Sequence, residues 1–339
     1  MIRVFNHHTN PLASASDMTN RDRRLSSVVE AIGCTPLVEL SRITGTRGTI
    51  LAKLEYLNPG GSKKDRIARQ ILEHAVATGL LSHNQPVVEM TSGNTGTGAA
   101  LVCAVQGRPF IAVMSRGNSP ERAAMMRAFG AEVVLVDQAS GDSAGRVSGK
   151  DLALVEHRAL EISKERDAFY LNQFVRVENR DAHESGTGAE IWAASAGTIT
   201  AFCDFVGTGG TFVGLHAAFK QRDERIRGYV VEPEGAAVLS LGFVDGSKHR
   251  IQGGGYSRRE LPMLRGIEPD GFVTVTDDEA IQATRRLARE EGVFAGISSG
   301  ANVAAALKLL SGPECGGTIA VVLNDSGLKY LSTDLWEPV

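Results

Sequence analysis

The sequence predicts an α/β protein of two open, twisted lobes with mainly parallel sheets and a ligand site between them. Three observations carry this. Short apolar runs of strand length alternate with helical segments along most of the chain, the pattern of parallel strands covered by helices on both faces. At 339 residues the chain is too long for one small core and suits two lobes. The 38 glycines gather in short tracts, three of them directly after strands, where open α/β sheets bind ligands.

Taken in order, Met1 to Arg24 is polar and lacks the apolar core of a signal peptide. It reads as a flexible arm, with His7-His8 a surface pair rather than a metal site. A short helix from Leu25 leads into the turn Ile32-Gly33-Cys34-Thr35-Pro36 and a strand to Leu40. The apolar run Ile50 to Leu54 reads as a buried strand ending in a Pro-Gly-Gly turn, with Ser62 as N-cap of a helix through Ala77. Strand Val87–Met90, helix Gly98–Val105 and strand Phe110–Met114 follow. Next come helix Pro120–Phe129, with proline in its first turn, strand Glu132–Val136 and helix Leu152–Lys164. Ala139–Gly149, rich in Gly, Ser and Asp, is an exposed loop. A second unit begins near Phe174–Arg180, with helix Gly188–Ser195, strand Ala201–Val206, helix Gly214–Lys220 and strand Gly228–Val231. An irregular stretch, Phe243–Gly271, precedes helices Asp277–Glu291 and Ala301–Leu310 and the strand Thr318–Leu323. No fixed period recurs, which excludes a solenoid.

Composition narrows the function classes. Hydrophobic residues are 42% and charged residues 22%, ordinary for a globular enzyme. A net charge of -3 gives no basis for binding nucleic acid or an anionic membrane surface, and no apolar run reaches the length of a membrane span. Cys34, Cys103, Cys203 and Cys315 are far apart and form no CxxC pair. That argues against a disulfide framework or a zinc site and for a reducing, cytoplasmic compartment.

The chemistry lies in four tracts. In Asn58-Pro59-Gly60-Gly61-Ser62-Lys63-Lys64-Asp65-Arg66 two lysines open a helix, where the dipole disfavours positive charge. On this stretch alone a solvated charged turn is the simpler reading; the alternative is an amine made nucleophilic by burial and the dipole. The other tracts reverse the balance. Gly207-Thr208-Gly209-Gly210-Thr211 precedes a helix and suits a phosphate cradle. It is neither a dinucleotide fingerprint, since Phe212 stands where a third glycine is needed, nor a P-loop. Thr91-Ser92-Gly93-Asn94-Thr95-Gly96 offers hydroxyls, an amide and open backbone donors to a carboxylate. Gly296-Ile297-Ser298-Ser299-Gly300-Ala301 places a serine pair at a helix start, where taken separately it is a plain cap. Together a lysine, a phosphate cradle, a carboxylate cradle and a hydroxyl describe pyridoxal 5′-phosphate with an amino-acid substrate. A neutral serine at the pyridine nitrogen suits α,β-elimination better than a long-lived carbanionic state.

With these motifs, and with Ile32-Gly33-x-Thr35-Pro36-Leu37-Val38, Asn172-Gln173-Phe174 and Tyr330-Leu331-Ser332-Thr333, the chain resembles the cysteine synthase/cystathionine β-synthase family of fold type II pyridoxal-phosphate enzymes. The matches run from about Ile32 to Leu335. The resemblance implies a tryptophan synthase β-like fold with the cofactor in the cleft. It implies an arm over residues 1–27, a large cofactor-binding domain over 28–66 plus 177–339, and a smaller mobile domain over 67–176. It places the covalent, catalytic lysine on Lys64 and the cofactor's 3′-hydroxyl on Asn94. The phosphate falls to Gly207, Thr208, Gly209, Gly210 and Thr211, and the ring nitrogen to Ser298, with Ser299 as second choice. The substrate carboxylate falls to Thr91, Ser92, Gly93, Thr95 and Gln173, and the substrate-facing loop includes Gly253. The implied reaction is ping-pong β-replacement on an O-activated L-serine through an aminoacrylate, with a small nucleophile as second substrate and a homodimer as the assembly.

Three departures leave the nucleophile open. Lys63 stands where an aliphatic residue is usual, Val175-Arg176-Val177-Glu178-Asn179 replaces an Asn-Pro-rich loop, and the segment Ile251 to Arg259 adds Tyr256 and two arginines. Arg258 or Arg259 is a candidate partner for a phosphoserine leaving group or an acidic nucleophile, with a solvated surface pair the equal alternative. Cystathionine β-synthase activity, 2,3-diaminopropionate-type synthesis and a β-eliminating lyase compete with cysteine synthesis, and a silent binding protein is the reading outside the enzymes. The end of the chain at Val339 leaves no room for a C-terminal regulatory module.

Overall fold

A computed structural model describes residues 24–91, 93–139, 149–242 and 249–337. Two sheets organise it. The larger has six strands in the spatial order β1 (Leu37–Glu39), β2 (Thr49–Lys53), β10 (Thr318–Val322), β7 (Ala201–Phe205), β8 (Arg227–Pro233) and β9 (Gly271–Val275). β1 is antiparallel to β2, with Val38 opposite Ala52; the remaining pairs are parallel, Ile50 beside Ile319 and Cys203 beside Tyr229. The smaller sheet is parallel throughout, in the order β5 (Glu132–Val136), β4 (Phe110–Ser115), β3 (Val87–Met90) and β6 (Phe169–Tyr170).

Each sheet is covered on both faces, and the side chains sort by the two-residue period of a strand. From the large sheet, Ala201, Cys203, Ile319 and Val321 pack against α1 (Ser41–Thr44), α10 (Asp277–Glu291) and α11 (Ile297–Leu310). Their neighbours Phe202, Ala320 and Val322 face α7 (Ala189–Ala194) and α8 (Gly210–Lys220). In the small sheet Val87, Phe110 and Ala112 meet α2 (Lys64–Ala77), α3 (Asn94–Val105) and α4 (Pro120–Ala128), while Val88, Ile111 and Val113 meet α5 (Gly149–Glu165). Val29 and Ile32, from the short 3-10 turn Val28–Ala31 and just after it, join the core around α2 and α3. α6 (Glu178–Ala182) runs through a π-helical turn, His183–Gly188, into α7; α9 (Val238–Leu241) is a single turn.

Several boundaries differ from expectation. α3, α8 and α11 begin at Asn94, Gly210 and Ile297 rather than at Gly98, Gly214 and Ala301. Their first turns are built from Gly, Ser, Thr and Asn, which score poorly for helix, yet packing demands them. A Cβ at Gly300 would stand 2.2 Å from the Ala280 carbonyl oxygen of α10. The helix expected over Gly188–Ser195 starts ten residues earlier, at Glu178. The N-cap of α2 is Lys63 rather than Ser62, although the Ser62 hydroxyl still accepts from the Lys64 N–H at 3.2 Å. β6, only two residues long, and β9, at the end of the stretch read as irregular, carry too little pattern to be seen. The arm over 1–23 with His7-His8, the loop over 140–148, residues 243–248 and Ser92 lie outside the described residues.

Candidate active site

The corner between β2 and α2 is held rigid by buried charge. Arg66 donates through Nε and an Nη to the two oxygens of Glu55, each at 2.7 Å, and through Nη1 to Glu190 at 2.7 Å. Lys53 closes the set, 2.7 Å from the other Glu190 oxygen, and Thr35 donates to Glu55 at 2.6 Å. Burial alone would raise the Glu55 carboxyl; Arg66, Thr35 and Lys53 together outweigh it and hold the group below its usual range. Asp65 turns back to accept from the Gly60 N–H at 2.6 Å. Asn58, Gly60, Asp65 and Arg66 thus build the corner, and what the corner presents to the open side is Lys64.

Lys64 lies in a cleft of about 630 Å³, open to solvent, into which three other helices point their N-termini. Thr91, Gly93, Asn94 and Thr95 come from the start of α3, Gly207, Thr208, Gly209 and Thr211 from the start of α8, and Ser298 from the start of α11; Gln173 and Gly253 complete the expected set. Gly210 sits just beneath, its N–H 3.4 Å from the Thr208 hydroxyl. The described residues read from the sequence as one site therefore meet in one place.

Their hydrogen bonds show how the parts are aimed. The Thr91 hydroxyl accepts from the Gly93 and Gly96 N–H groups, both at 2.9 Å, and Thr95 donates to the Gln173 side-chain oxygen at 2.7 Å. Gly93 has φ +134°, and a Cβ there would meet Arg122 Cδ at 2.4 Å, so glycine is required for the arginine to reach the cleft. Asn94 donates to Asp325 and accepts from Lys329, each at 2.8 Å. Ser298 accepts from Asn324 Nδ2 at 3.1 Å, which leaves its own proton to give or share. Ser299 is fully buried, accepts from the Asn324 N–H at 2.8 Å and does not line the cleft, whereas Ser298 does.

Electrostatics favour neutral groups around Lys64. Burial, then the neighbouring Lys63, lowers its amine to about 7, against the pull of Asp204 and Glu89. Glu89, fully buried at the end of β3, is pushed up to about 8 by burial although it accepts from the Asn172 N–H at 2.7 Å. His183 is fully buried and held far below its ordinary value by burial and the lysine charges; Nδ1 pairs with Thr187 at 2.9 Å and Nε2 with Thr211 at 3.2 Å.

Some of this the sequence did not reveal. Arg122, Asp204 and Asn324 line the cleft without belonging to any motif read from the sequence. Asn179 joins the two cradles from behind, donating to Gln173 O at 2.7 Å and to the Thr208 hydroxyl at 3.0 Å. Arg258 and Arg259 do not line the cleft. Arg258 pairs with Glu156 at 2.9 Å and lies over the Phe174 ring, and Arg259 bonds the Gly242 carbonyl. Tyr256, from the same segment, does line the cleft, and with Arg258 and Gly207 it also lines a neighbouring cavity.

A half-buried amine whose burial favours the uncharged form, a helix N-terminus with open backbone donors, and a lone hydroxyl fit an aldehyde cofactor that carries a phosphate and a ring nitrogen. That defines a pyridoxal-phosphate enzyme. The match to known proteins agrees: the chain belongs to the pyridoxal-phosphate dependent enzyme family, whose pattern it fits over residues 28–325. It is 38% identical over 315 residues to a cysteine synthase of Staphylococcus aureus, covering 92% of this chain and 97% of that one. Its fold is similar to O-acetyl serine sulfhydrylase isoform 3 of Entamoeba histolytica, with TM-score 0.86, 34% identity and coverage of 95% and 94%. It is likewise similar to an O-acetylserine dependent cystathionine beta-synthase of Helicobacter pylori, with TM-score 0.84, 31% identity and coverage of 93% and 99%. Among the described residues no helix is long and apolar enough to cross a membrane.

Proposed function

We propose that the protein catalyses β-replacement on an O-activated L-serine, O-acetyl- or O-phosphoserine, in the manner of a cysteine synthase. The observation that carries this reading is the convergence of Lys64 with the helix starts of α3 and α8 in one cleft. Pyridoxal 5′-phosphate, when bound, supplies the electron sink for negative charge at the substrate α-carbon. Lys64 Nζ would hold the cofactor covalently and, as a free amine, would take the α-proton. Thr91, Thr95, Gln173 and the α3 backbone bind the substrate carboxylate, and Ser92 is assigned there too. Gly207 to Thr211 bind the phosphate, Asn94 the ring hydroxyl and Ser298 the ring nitrogen. An uncharged serine at that position would not hold a proton on the ring nitrogen, which would suit loss of the β-substituent.

Sulfide is the nucleophile this reading puts first, and the likeness to both a cysteine synthase and a cystathionine beta-synthase supports testing thiols and amines beside it. We further infer a homodimer in the cytoplasm, with the four-stranded lobe, residues 67–176, moving against the rest. The decisive experiment follows the visible absorbance of the purified holoenzyme as O-acetyl-L-serine, then O-phospho-L-serine, is added. The expected outcome is a spectral change with release of acetate or phosphate, and a thioether or thiol product when sulfide or homocysteine follows. Absorbance that neither donor perturbs refutes the reading, and pyruvate as sole product turns it into a lyase. Lys64→Ala is expected to abolish borohydride-fixable cofactor and to lower turnover by at least about 10³-fold.

A further inference from the structure

One charged pair in the cleft has no task in the reaction above. Lys63 Nζ lies 3.0 Å from Asp204 Oδ1, with side chains only 9% and 2% exposed, and both residues line the cleft. Burying two charges carries a desolvation cost that can exceed their attraction, and apolar side chains of similar volume often serve stability as well or better. The placement is also specific. Lys63 directly precedes Lys64 at the start of α2, and its backbone N–H donates to Asn324 O at 2.9 Å. Asp204 sits on β7, three residues before the glycine loop, and takes a second, longer contact from Asn302 Nδ2 at 3.4 Å. Both ends of Lys63 are therefore fixed.

We propose that Lys63, clamped by Asp204, is a positioning residue for Lys64: a fixed ammonium that biases the neighbouring amine toward its neutral, nucleophilic form. The proposal rests on Lys64 being the residue that joins the aldehyde. In that step the lone pair of Nζ adds to the aldehyde carbon, a carbon–nitrogen bond forms, the carbonyl oxygen leaves as water, and nothing is oxidised or reduced. A protonated Nζ has no lone pair to give. A second cation placed beside a buried lysine is a known means of holding it neutral.

The other groups facing Lys64 come from four elements. Asp204 on β7 pulls toward protonation, and so does Glu89 on β3 once it is ionised. His183, in the π-helical turn, is neutral, and Arg122 from α4 adds positive charge to the same cleft. After burial, Lys63 is the strongest influence on Lys64. Asp204 is thus both clamp and counterweight, and the two members of the pair have opposite effects on the amine.

The test uses cofactor-stripped protein and the rate at which absorbance reports covalent attachment of pyridoxal 5′-phosphate, or of pyridoxal, which lacks the phosphate, between pH 5 and 10. Lys63→Met is expected to move the pH midpoint of that rate up by about one unit for both aldehydes, Asp204→Asn to move it down by less, and the double variant to fall between. If Lys63→Met does not fold because Asp204 is left unpaired, the comparison is made in the Asp204→Asn background, where removing Lys63 must raise the midpoint. Unmoved midpoints, or a downward shift on removing Lys63, overturn the proposal. A loss confined to pyridoxal 5′-phosphate also overturns it and makes Lys63 a phosphate partner. Attachment that persists in Lys64→Ala refutes the lysine assignment itself, a result distinct from the others.

Discussion

α10 and the helices that open on the cleft begin in opposite ways. At α10 a capping box is complete: the Thr276 hydroxyl accepts from the Glu279 N–H at 3.1 Å and Glu279 accepts from the Thr276 N–H at 2.9 Å. Three acidic residues fill its first turn. α3, α8 and α11 start on Gly93, Gly209 and Gly296, with no side-chain cap from those residues and no acidic residue in the first turn. Hydroxyls just ahead of two of them, Thr91 at α3 and Thr208 at α8, take up part of the first turn's N–H groups, but a start with no acidic residue keeps its positive potential and its remaining N–H groups for something else. The contrast separates helix starts finished by the chain from helix starts left for a ligand.

The strongest way to break this contrast is to block one of the open starts. A Cβ at Gly210 would stand 2.1 Å from Asn179 Oδ1. Asn179 cannot swing away freely, because it is fully buried and its Nδ2 holds both Gln173 O and the Thr208 hydroxyl. Gly210→Ala is expected to weaken cofactor binding by roughly a hundredfold, equivalent to about 3 kcal/mol, as read by equilibrium dialysis. Binding unchanged from the parent would show that the start of α8 is not where the phosphate sits.

Glu89 tests the contrast from the other side, since it is an acidic residue behind an open start. Burial raises its carboxyl from 4.5 to about 8. Between those values the folded protein keeps a proton that the unfolded chain has lost, so this stability is complete below about pH 4.5 and fades as pH rises through about 8. Glu89→Gln removes that fading. Relative to the parent, the variant is expected to gain on the order of a few kcal/mol between pH 5 and pH 8, measured as urea midpoints at the two pH values. Parallel pH dependence in the two proteins would mean that Glu89 is ionised when folded.

The same contrast explains what could be read from sequence. Strands Val87–Met90 and Glu132–Val136 and helix Asp277–Glu291 have the boundaries the pattern predicts, because each is bounded by a turn signal or a cap that the chain itself supplies. α3, α8 and α11 were each read four residues short, because their first turns are made of residues chosen for the ligand and for close packing rather than for helix. Lys64, the glycine loop and Ser298 are legible because each belongs to a short local motif. Asp204 is not: its partner Lys63 is 141 residues away, and an aspartate in an apolar strand carries no mark of which cation it will meet. His183 and Asn179 are hidden for the same reason, since only the folded chain shows them behind the glycine loop.

The smallest effect belongs to the helix start that the chain finishes for itself. In Thr276→Ala the Glu279 N–H loses its acceptor, and the Glu279 side chain loses one reason to fold back, while Lys308 still holds it at 2.7 Å. Loss of such a cap costs about 1 kcal/mol, seen as a lower denaturant midpoint at an unchanged slope. Cofactor affinity and turnover are expected to stay at parental values, because α10 packs against α11 from the side away from the cleft and none of its residues lines it. An equal loss of stability from a cap change at α3, such as Thr91→Val, should come with a fall in activity, because the Thr91 hydroxyl both accepts from the Gly93 and Gly96 N–H groups and faces the cleft. If the two substitutions changed stability and turnover in the same proportion, the distinction between finished and open helix starts would have no functional content.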